Sequence, residues 1–341
     1  MFRDLYKQSG KCKIELQEER RCRLLEEQKR RRMILQDSQR DILTYKVIES
    51  SKINSKQLQD AYGSTYSVQL SEWLRESPEN LCDWVMVPCP KGQRCLIVAE
   101  NGRTEMYTKS GRRRMTFRTL LPGDNGPRSN KMCTILDCIF SDDKNAFYVL
   151  DAIVYGNQEL VHCEAQFRFF WLRSKFDECP DLHDYSVLNE KPLKFLERFD
   201  AERIANVTEA LQRYPFWPDN NPELDGWLFY HKESSYTCGS TPLVGWLFTF
   251  MIPDVLGIPV NQSYEKPSNY IEPISFMEEF DEKLANIRRK QRRKSYNPGE
   301  MEILESCDTE REQPGETANN DLLSTECILE IDKPVERFLC D

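Results

Sequence analysis

A lysine followed by three arginines is the first group in this sequence that could do chemistry. Residues 106–114 read "MYTKSGRRR", so Lys109 stands at the end of a strand-like run, just before Ser110 and Gly111. A lysine of lowered pKa is a nucleophile where carboxylates hold a metal beside it, and a lysine among arginines is a phosphate-binding group. Taken alone, this run is more typical of an ordinary basic hairpin, so other residues must decide.

The histidines and cysteines lack metal-binding spacing. His162, His183 and His231 are scattered, and none of the thirteen cysteines forms a C-x-x-C pair. We therefore expect no zinc site, no other metal and no cofactor. An odd number of cysteines without a signal peptide indicates reduced thiols in a cytosolic or nuclear protein.

A tryptophan among glycines and a proline is the second candidate. Residues 239–247 read "GSTPLVGWL", and the preceding run 224–232, "LDGWLFYHK", is typical of a turn and a strand. The punctuation predicts a loop that carries Trp246. Such a residue either packs for stability or offers a flat face to a ligand. The spacing of "SEWL" gives Trp73 a packing role on its own, and four further tryptophans are assigned to packing: Trp84, Trp171, Trp217 and Trp227.

Charge is distributed unevenly along the chain. The net charge is -9, yet residues 1–32 carry a net charge of +5 and residues 299–341 a net charge of -10. Residues 11–35 are rich in strong helix formers and poor in apolar residues, which predicts a helix without a broad apolar stripe. We expect this helix to pack poorly on its own domain and to become ordered on an acidic partner, although charge patterning alone favours a solvated charged helix.

The middle of the chain has the pattern of an α+β domain rich in antiparallel sheet. Short strand-like runs alternate with turn signals such as Asn101-Gly102 and the segment 122–126. The apolar run 241–260 is long enough to span a membrane, but three prolines and one aspartate interrupt it. We therefore interpret it as buried loop and strand and expect no membrane association.

Three segments resemble the motifs of the nucleotidyltransferase superfamily, which includes mRNA capping guanylyltransferases and polynucleotide ligases. They occur in the superfamily's order: Lys109-Ser110-Gly111, "ILDCI" (135–139) and "LDGWLFYHK" (224–232). The aspartate that follows the lysine is missing, and Cys138 and Ile139 stand where a glycine and a glutamate are expected. Because the reactive groups are missing, we expect a nucleotide-binding domain that is not an enzyme.

A second resemblance is more specific and spans nearly all of residues 69–257. The stretches "LSEWL", "YTKSG", "LLPG", "CTILDCIF", "FRFFWLRSKF", "LDGWLFYHK" and "GSTPLVGWL" occur in the order found in the snurportin family, as does "CP-x-G-x-R-x-LIVA". The basic run 19–32 resembles that family's importin-β-binding segment. The resemblance implies a nuclear import adaptor that binds the trimethylguanosine cap of spliceosomal small nuclear RNAs and links the ribonucleoprotein to importin-β. It also implies a guanylyltransferase-like fold and shuttling between nucleus and cytoplasm.

The same resemblance implies particular site residues. Trp246 is the residue that stacks on the methylated guanine. A cationic base over an indole gains about 0.5–2 kcal/mol beyond dispersion, and stacking adds roughly 1–3 kcal/mol. The other implied cap-binding residues are Ser71, Trp73, Gln93, Arg94 and Lys109, and Gln93 replaces a lysine common in the family. The implied importin-β-binding residues are Arg20, Arg21, Arg23, Lys29, Arg30, Arg31 and Arg32.

The predicted organisation has four parts. They are an importin-β-binding helical segment (1–45), a linker (46–66), a cap-binding domain (67–265) and a basic, then acidic, largely disordered tail (266–341). Family members carry an apolar segment that binds an export receptor. Only Met1, Phe2 and Leu5 could supply it here, which leaves exportin binding open.

Two other functions stay open at this point. One is a residual nucleotidyltransferase that uses Lys109. The other is a generic nuclear RNA-binding protein imported through the basic run 288–294, "RRKQRRK".

Overall fold

The computed structural model describes four parts of the chain: residues 10–40, 68–124, 131–218 and 222–295. The chain divides into two units, Met1–Lys266 and Pro267–Asp341. The first unit holds every strand among the described residues. The predicted linker (46–66), the residues Met1, Phe2 and Leu5, and the acidic residues 299–341 lie outside the described ranges.

Twelve strands among the described residues form two sheets. Five of them are ordered β1-β12-β11-β2-β10. These strands are β1 (Gln69–Trp73), β2 (Trp84–Pro90), β10 (Phe199–Asp200), β11 (Leu224–His231) and β12 (Gly239–Leu247). The other sheet is ordered β5-β4-β3-β6-β7-β8, with β9 beside β7. Its strands are β3 (Gln93–Glu100), β4 (Arg103–Thr108), β5 (Arg113–Phe117), β6 (Cys133–Ser141), β7 (Ala146–Tyr155), β8 (Gln158–Glu159) and β9 (Leu193–Phe195).

Most neighbouring strands run antiparallel, and two pairs are parallel. The parallel pairs are β1 with β12 and β7 with β9. The prediction of an α+β domain rich in antiparallel sheet is therefore confirmed, and the strand-like runs of the sequence correspond closely to strands of the structure.

The core lies on both faces of the seven-stranded sheet. Strands β6 and β7 are buried along their whole length, in agreement with their nearly continuous apolar sequence. One cluster of buried side chains joins the two sheets; it includes Ile139 and Leu150 from the seven-stranded sheet and Leu228 and Val244 from the five-stranded sheet. The two sheets therefore share one apolar interior, which holds the five-stranded sheet in place.

The helices are α1 (Gly10–Arg40), α2 (Ala165–Glu178), α3 (Ile204–Gln212), α4 (Ile252–Leu256) and α5 (Pro273–Ser295). Helix α5 belongs to the second unit and contains the basic run 288–294. Helix α1 confirms the helix predicted for residues 11–35. Among the described residues, no helix combines the length and apolar character needed to cross a bilayer.

Helix α2 shows how an ambiguous sequence is decided by packing. Its segment has aromatic residues that suit either a helix or a strand, but Ala165, Phe169, Leu172 and Phe176 share one buried face at helical spacing. Arg168 on the same helix is fully buried and forms an ion pair of 2.7 Å with Asp151 of β7. This pair fixes α2 on the seven-stranded sheet.

Candidate functional site

The parallel pairing of β1 with β12 brings two candidate tryptophans together. Trp73 pairs with Trp246 in the register of the two strands, and the amide of Leu74 donates to the carbonyl oxygen of Trp246 at 3.1 Å. Both tryptophans and Ser71 are half-buried. The expectation that Trp246 lies on a loop is wrong, because Gly239–Leu247 pairs with strands on both sides. Trp246 is nevertheless only half-buried, so part of its surface remains accessible to a ligand.

A phenylalanine and a glycine fix the positions of the two indoles. The ring of Phe248 lies 5.8 Å from that of Trp73 and 5.9 Å from that of Trp246, centroid to centroid. On the neighbouring strand β11, a Cβ atom at Gly226 would lie 2.7 Å from Cζ2 of Trp246 and 2.6 Å from the carbonyl oxygen of Leu247. Only a glycine therefore leaves room for the indole. The result is a pair of partly exposed aromatic groups suited to stacking on a planar base.

Gln93 and Arg94 follow the turn between β2 and β3. Glycine is required in that turn, because a Cβ atom at Gly92 would lie 2.4 Å from the carbonyl oxygen of Phe140. Gln93 is half-buried. The guanidinium of Arg94 donates to both carboxylate oxygens of Asp137, at 2.7 and 2.8 Å.

The ion pair between Arg94 and Asp137 is buried. The Asp137 side chain is fully buried and that of Arg94 is 12% exposed. Burial lowers the pKa of Arg94, but the Asp137 carboxylate raises it well above its ordinary value, so the guanidinium remains charged. A direct contact between Arg94 and the cap stays a prediction, and this geometry favours a structural role instead.

Lys109 directly follows β4 of the seven-stranded sheet. The last residue of β4, Thr108, pairs with Cys95, which is the neighbour of Arg94 in the chain. Lys109 is buried, with 7% of its surface exposed. The turn that follows is closed by hydrogen bonds between the backbones of Thr108 and Arg112 at 2.8 Å and of Gly111 and Thr108 at 2.9 Å.

The arginines after this turn are exposed, and one of them is held by an acidic residue. Arg113 donates to Glu105 at 3.0 Å. Burial raises the pKa of Glu105, but hydrogen bonds from Tyr107 and Arg113 bring it below its ordinary value. Arg112 and Arg114, the neighbours of Arg113 in the chain, are exposed as well.

Helix α1 docks on β1 through Glu72 and the backbone of Trp73. Arg20 forms two hydrogen bonds to the carboxylate of Glu72, at 3.0 and 2.7 Å. Gln17 donates to the carbonyl oxygen of Trp73 at 3.1 Å. Because Glu72 lies between Ser71 and Trp73 in the chain, the strand with two candidate cap-binding residues is also a docking site for α1.

The next arginine of α1 reaches β12 and is buried. Nε of Arg21 donates to the carbonyl oxygen of Pro242 at 3.0 Å, and the guanidinium lies 5.1 Å from the ring centroid of Trp84. Only 5% of Arg21 is exposed. Such a cation above an indole face is stabilised electrostatically.

The second half of α1 packs against the segment between β11 and β12. Lys29 forms a 2.7 Å ion pair with Glu233 and so lowers the pKa of that carboxyl group. Arg32 donates to the hydroxyl of Ser235 at 2.9 Å and to Glu164 at 3.3 Å. The remaining basic residues predicted to bind importin-β are exposed: Arg23, Arg30 and Arg31.

The expectation that α1 packs poorly on its own domain is therefore wrong. The prediction assumed an apolar stripe as the only means of docking. In the structure the contacts are polar, because guanidinium and amide groups find carboxylates and backbone carbonyls on the domain surface. Sequence reasoning missed Gln17, Glu72, Gly226 and Phe248 as contributors. The sequence holds one hint of these contributors: Glu72 lies in "LSEWL" and Gly226 in "LDGWLFYHK", two stretches that carry the family resemblance.

The described residues contain no group of three or more His, Cys, Asp or Glu side chains that could hold a metal ion. The candidate site therefore rests on aromatic faces and on cationic and amide groups.

Trp73 and Trp246 pair in register at the edge of a two-sheet α+β domain, an arrangement that suits stacking on a planar base. A family model described as Snurportin1, m3G cap-binding domain (m3G being trimethylguanosine), matches residues 67–249, which is more than half of the chain. The chain belongs to the snurportin family, and this domain binds the m3G cap.

Several solved structures are also similar to this chain. The ligase domain of LigD from M. tuberculosis matches with a TM-score of 0.33 and 14% identity over 52% of this chain and 58% of that chain. The ATP-dependent DNA ligase of bacteriophage T7, in complex with ATP, matches with a TM-score of 0.33 and 10% identity over 66% of this chain and 86% of that chain. A third, titled Pmar-Lig_PreS3, matches with a TM-score of 0.38 and 10% identity over 58% of this chain and 51% of that chain. This chain thus spans just over half the length of the first and third of these.

Proposed function

We propose that this protein is a non-enzymatic nuclear import adaptor. Its cap-binding domain binds the trimethylguanosine cap of spliceosomal small nuclear RNAs, and helix α1 binds importin-β. The protein then shuttles between cytoplasm and nucleus with its ribonucleoprotein cargo. Exportin is a further candidate partner, through residues that precede α1.

One observation carries this proposal: a long cationic helix precedes an m3G cap-binding domain in the same chain. Three of its basic residues, Arg23, Arg30 and Arg31, are exposed and can meet an acidic groove on a receptor. The proposal that Trp246 stacks on the cap, supported by Trp73, agrees with the register in which these two half-buried residues pair.

Charge reversal tests the receptor-binding step. Replacing Arg20, Arg21, Arg30 and Arg31 by glutamate is expected to abolish importin-β binding at low salt. The variant should still bind a free trimethylguanosine cap. Because Arg20 and Arg21 also contact their own domain, a second variant, Arg30→Glu with Arg31→Glu, separates receptor binding from docking. Normal importin-β binding by both variants would contradict the proposal.

The enzyme alternative has less support. Lys109 is buried, and Asp137 is bonded to Arg94 and Tyr236. Incubation with labelled GTP or ATP and a divalent metal tests it, since a nucleotidyltransferase forms a covalent lysyl–nucleotide adduct. We expect no adduct.

The generic RNA-binding alternative is tested by deletion. If the basic run in α5 supplied the import signal, import would survive removal of residues 1–40. We expect the deletion to abolish import of the capped ribonucleoprotein and to leave cap affinity within a few-fold of the full chain's.

A further inference from the structure

A buried hydrogen-bond network joins the two sheets next to strand β1. At its centre is Asp137 of β6, whose carboxylate accepts two hydrogen bonds from Arg94 and one from the hydroxyl of Tyr236, the last at 2.7 Å. Asp137 and Tyr236 are both almost fully buried. An ion pair in this setting is strongly constrained in geometry, because each buried polar group must keep its partners.

The network ends on the backbone of Gln69, the first residue of β1. Its amide donates to the hydroxyl of Tyr236 at 2.9 Å, and its carbonyl oxygen accepts from Nη2 of Arg94 at 3.1 Å. Gln69 is 1% exposed, and β1 is the edge strand of its sheet. Backbone groups that face away from the neighbouring strand and from water need other partners. Tyr236 and Arg94 supply them.

We propose that Arg94, Asp137 and Tyr236 are positioning residues of the cap site. They fix the start of β1, and β1 carries Ser71 and Trp73. Because Trp73 pairs with Trp246, the separation of the two indoles depends on where β1 is held. The proposal rests on cap binding by this domain, and it gives Arg94 a role other than direct contact with a phosphate.

The two roles for Arg94 predict different behaviour towards ligands. If Arg94 contacts a phosphate, its loss weakens binding of a cap dinucleotide and leaves the phosphate-free nucleoside unaffected. If it positions β1, its loss weakens both by the same factor, because both ligands use the same indole faces. The contribution of a phosphate contact also decreases as salt increases, whereas the buried network is little screened.

The first variant is Tyr236→Phe, which removes one hydroxyl and the two hydrogen bonds it makes. Binding to trimethylguanosine nucleoside and to the trimethylated cap dinucleotide is measured by fluorescence quenching, and urea unfolding is measured on the same samples. We expect both affinities to decrease by about tenfold. The matched control is Tyr155→Phe, which removes a hydroxyl from a buried tyrosine of β7 in a different core cluster and is expected to leave both affinities unchanged.

The second variant tests Arg94 without leaving a buried charge unpaired. Arg94→Met with Asp137→Leu replaces the ion pair by apolar side chains of similar size, an exchange that buried pairs often tolerate. The carbonyl oxygen of Gln69 then loses the hydrogen bond from Arg94. We therefore expect the variant to bind both ligands weakly and still to unfold cooperatively.

Two results would overturn the proposal. One is a loss confined to the dinucleotide, which assigns Arg94 to the phosphates. The other is unchanged nucleoside affinity in both variants with reduced stability alone, which assigns the network to folding. The wild-type chain serves as the test of cap recognition itself, since failure of the wild type to bind either ligand would count against the cap site and not against the network.

Discussion

At the scale of single residues, Trp246 is the group that we propose stacks on the cap. We predict that Trp246→Ala lowers affinity for the trimethylated cap by about 2–4 kcal/mol, or roughly 30- to 1,000-fold, because stacking and cation–π attraction are both lost. Trp246→Phe should lose less, since a smaller aromatic face remains. Cap affinity is measured by calorimetry and stability by urea unfolding.

The structure also shows why both quantities must be measured. Trp246 packs against Phe248 and over Gly226, so truncation removes some packing as well. A packing residue alone would cost about 3–5 kcal/mol of stability when truncated. If Trp246→Ala unfolds at much lower urea and keeps near-normal cap affinity, the stacking role is wrong.

Gly226 gives a second prediction, which depends on space alone. A methyl group there would overlap Cζ2 and Cη2 of Trp246. We therefore expect Gly226→Ala to displace the indole and lower cap affinity about tenfold, at a stability cost of about 1–3 kcal/mol. The control is Gly257→Ala, where no atom lies within 4 Å of the added carbon but φ is +70°. This control shows the effect of replacing a glycine that is distant from the indole. It should leave cap affinity unchanged.

At the scale of elements, helix α1 is held mainly by charged and amide groups. We predict that Glu72→Gln with Glu233→Gln weakens docking by about 1–2 kcal/mol, because the charge-assisted bonds from Arg20 and Lys29 lose their carboxylates. Amide exchange across residues 17–32 should become about 5- to 30-fold faster, as measured by mass spectrometry.

The matched control for this pair is Glu76→Gln with Glu79→Gln. Both glutamates are exposed on the same domain, so the change in net charge is equal. Unchanged exchange in the first variant would mean that the polar contacts do not hold the helix. Importin-β affinity is a second readout, and it should increase in the first variant and not in the control.

The elements were largely predictable from the sequence, but their long-range arrangement was not. Alternating or continuous apolar runs bounded by turns identified strands such as β2 and β6, and strong helix formers identified α1. The apparent loop around Trp246 is a strand because its glycine and proline are accommodated next to β1. No local sequence pattern predicts the parallel pairing of β1 with β12, because the two strands are far apart in the sequence of the domain.

The site was predictable only as far as the family resemblance reached. The resemblance implied that Trp73 and Trp246 serve one site, and the two residues pair in the register of β1 and β12. The network around Asp137 was not foreseen, because a buried charge acquires its partner through tertiary contacts and Arg94 and Tyr236 are remote from it in sequence. Gly226 lies in the stretch "LDGWLFYHK", which carries part of the family resemblance. The need for glycine there could not be predicted, because it comes from the indole of Trp246 on another strand.

At the scale of the whole molecule, we predict that two histidines make stability depend on pH. Burial lowers the pKa of His183 and of His231 below the ordinary value of 6.5. The unfolded chain therefore takes up protons first as the pH falls, so stability is full above about pH 6.5 and decreases below it. Lys29 and Arg21 of α1 lower the pKa of His231 further, so acid should also weaken docking of the helix.

Urea unfolding at pH 7.5, 6.5 and 5.5 measures this dependence. His231→Gln stays neutral throughout and should flatten the decrease, whereas replacement of the exposed His162 by glutamine should not. Equal slopes in all three proteins would show that His231 does not contribute.

The pairing of β1 with β12 also sets an order of events while the chain is being made. The hydrogen bond between Gln69 and Tyr236 joins residues 167 positions apart, a separation that takes a ribosome roughly 8–30 s to synthesise. Strand β1 must wait that long for its neighbour, and closure of so long a loop is slow compared with local folding. Helix α1 is made before β1, and for most of this interval three of the residues that later hold it, Glu233, Ser235 and Pro242, have not been synthesised. A nascent chain therefore exposes its cationic helix before it can bind a cap.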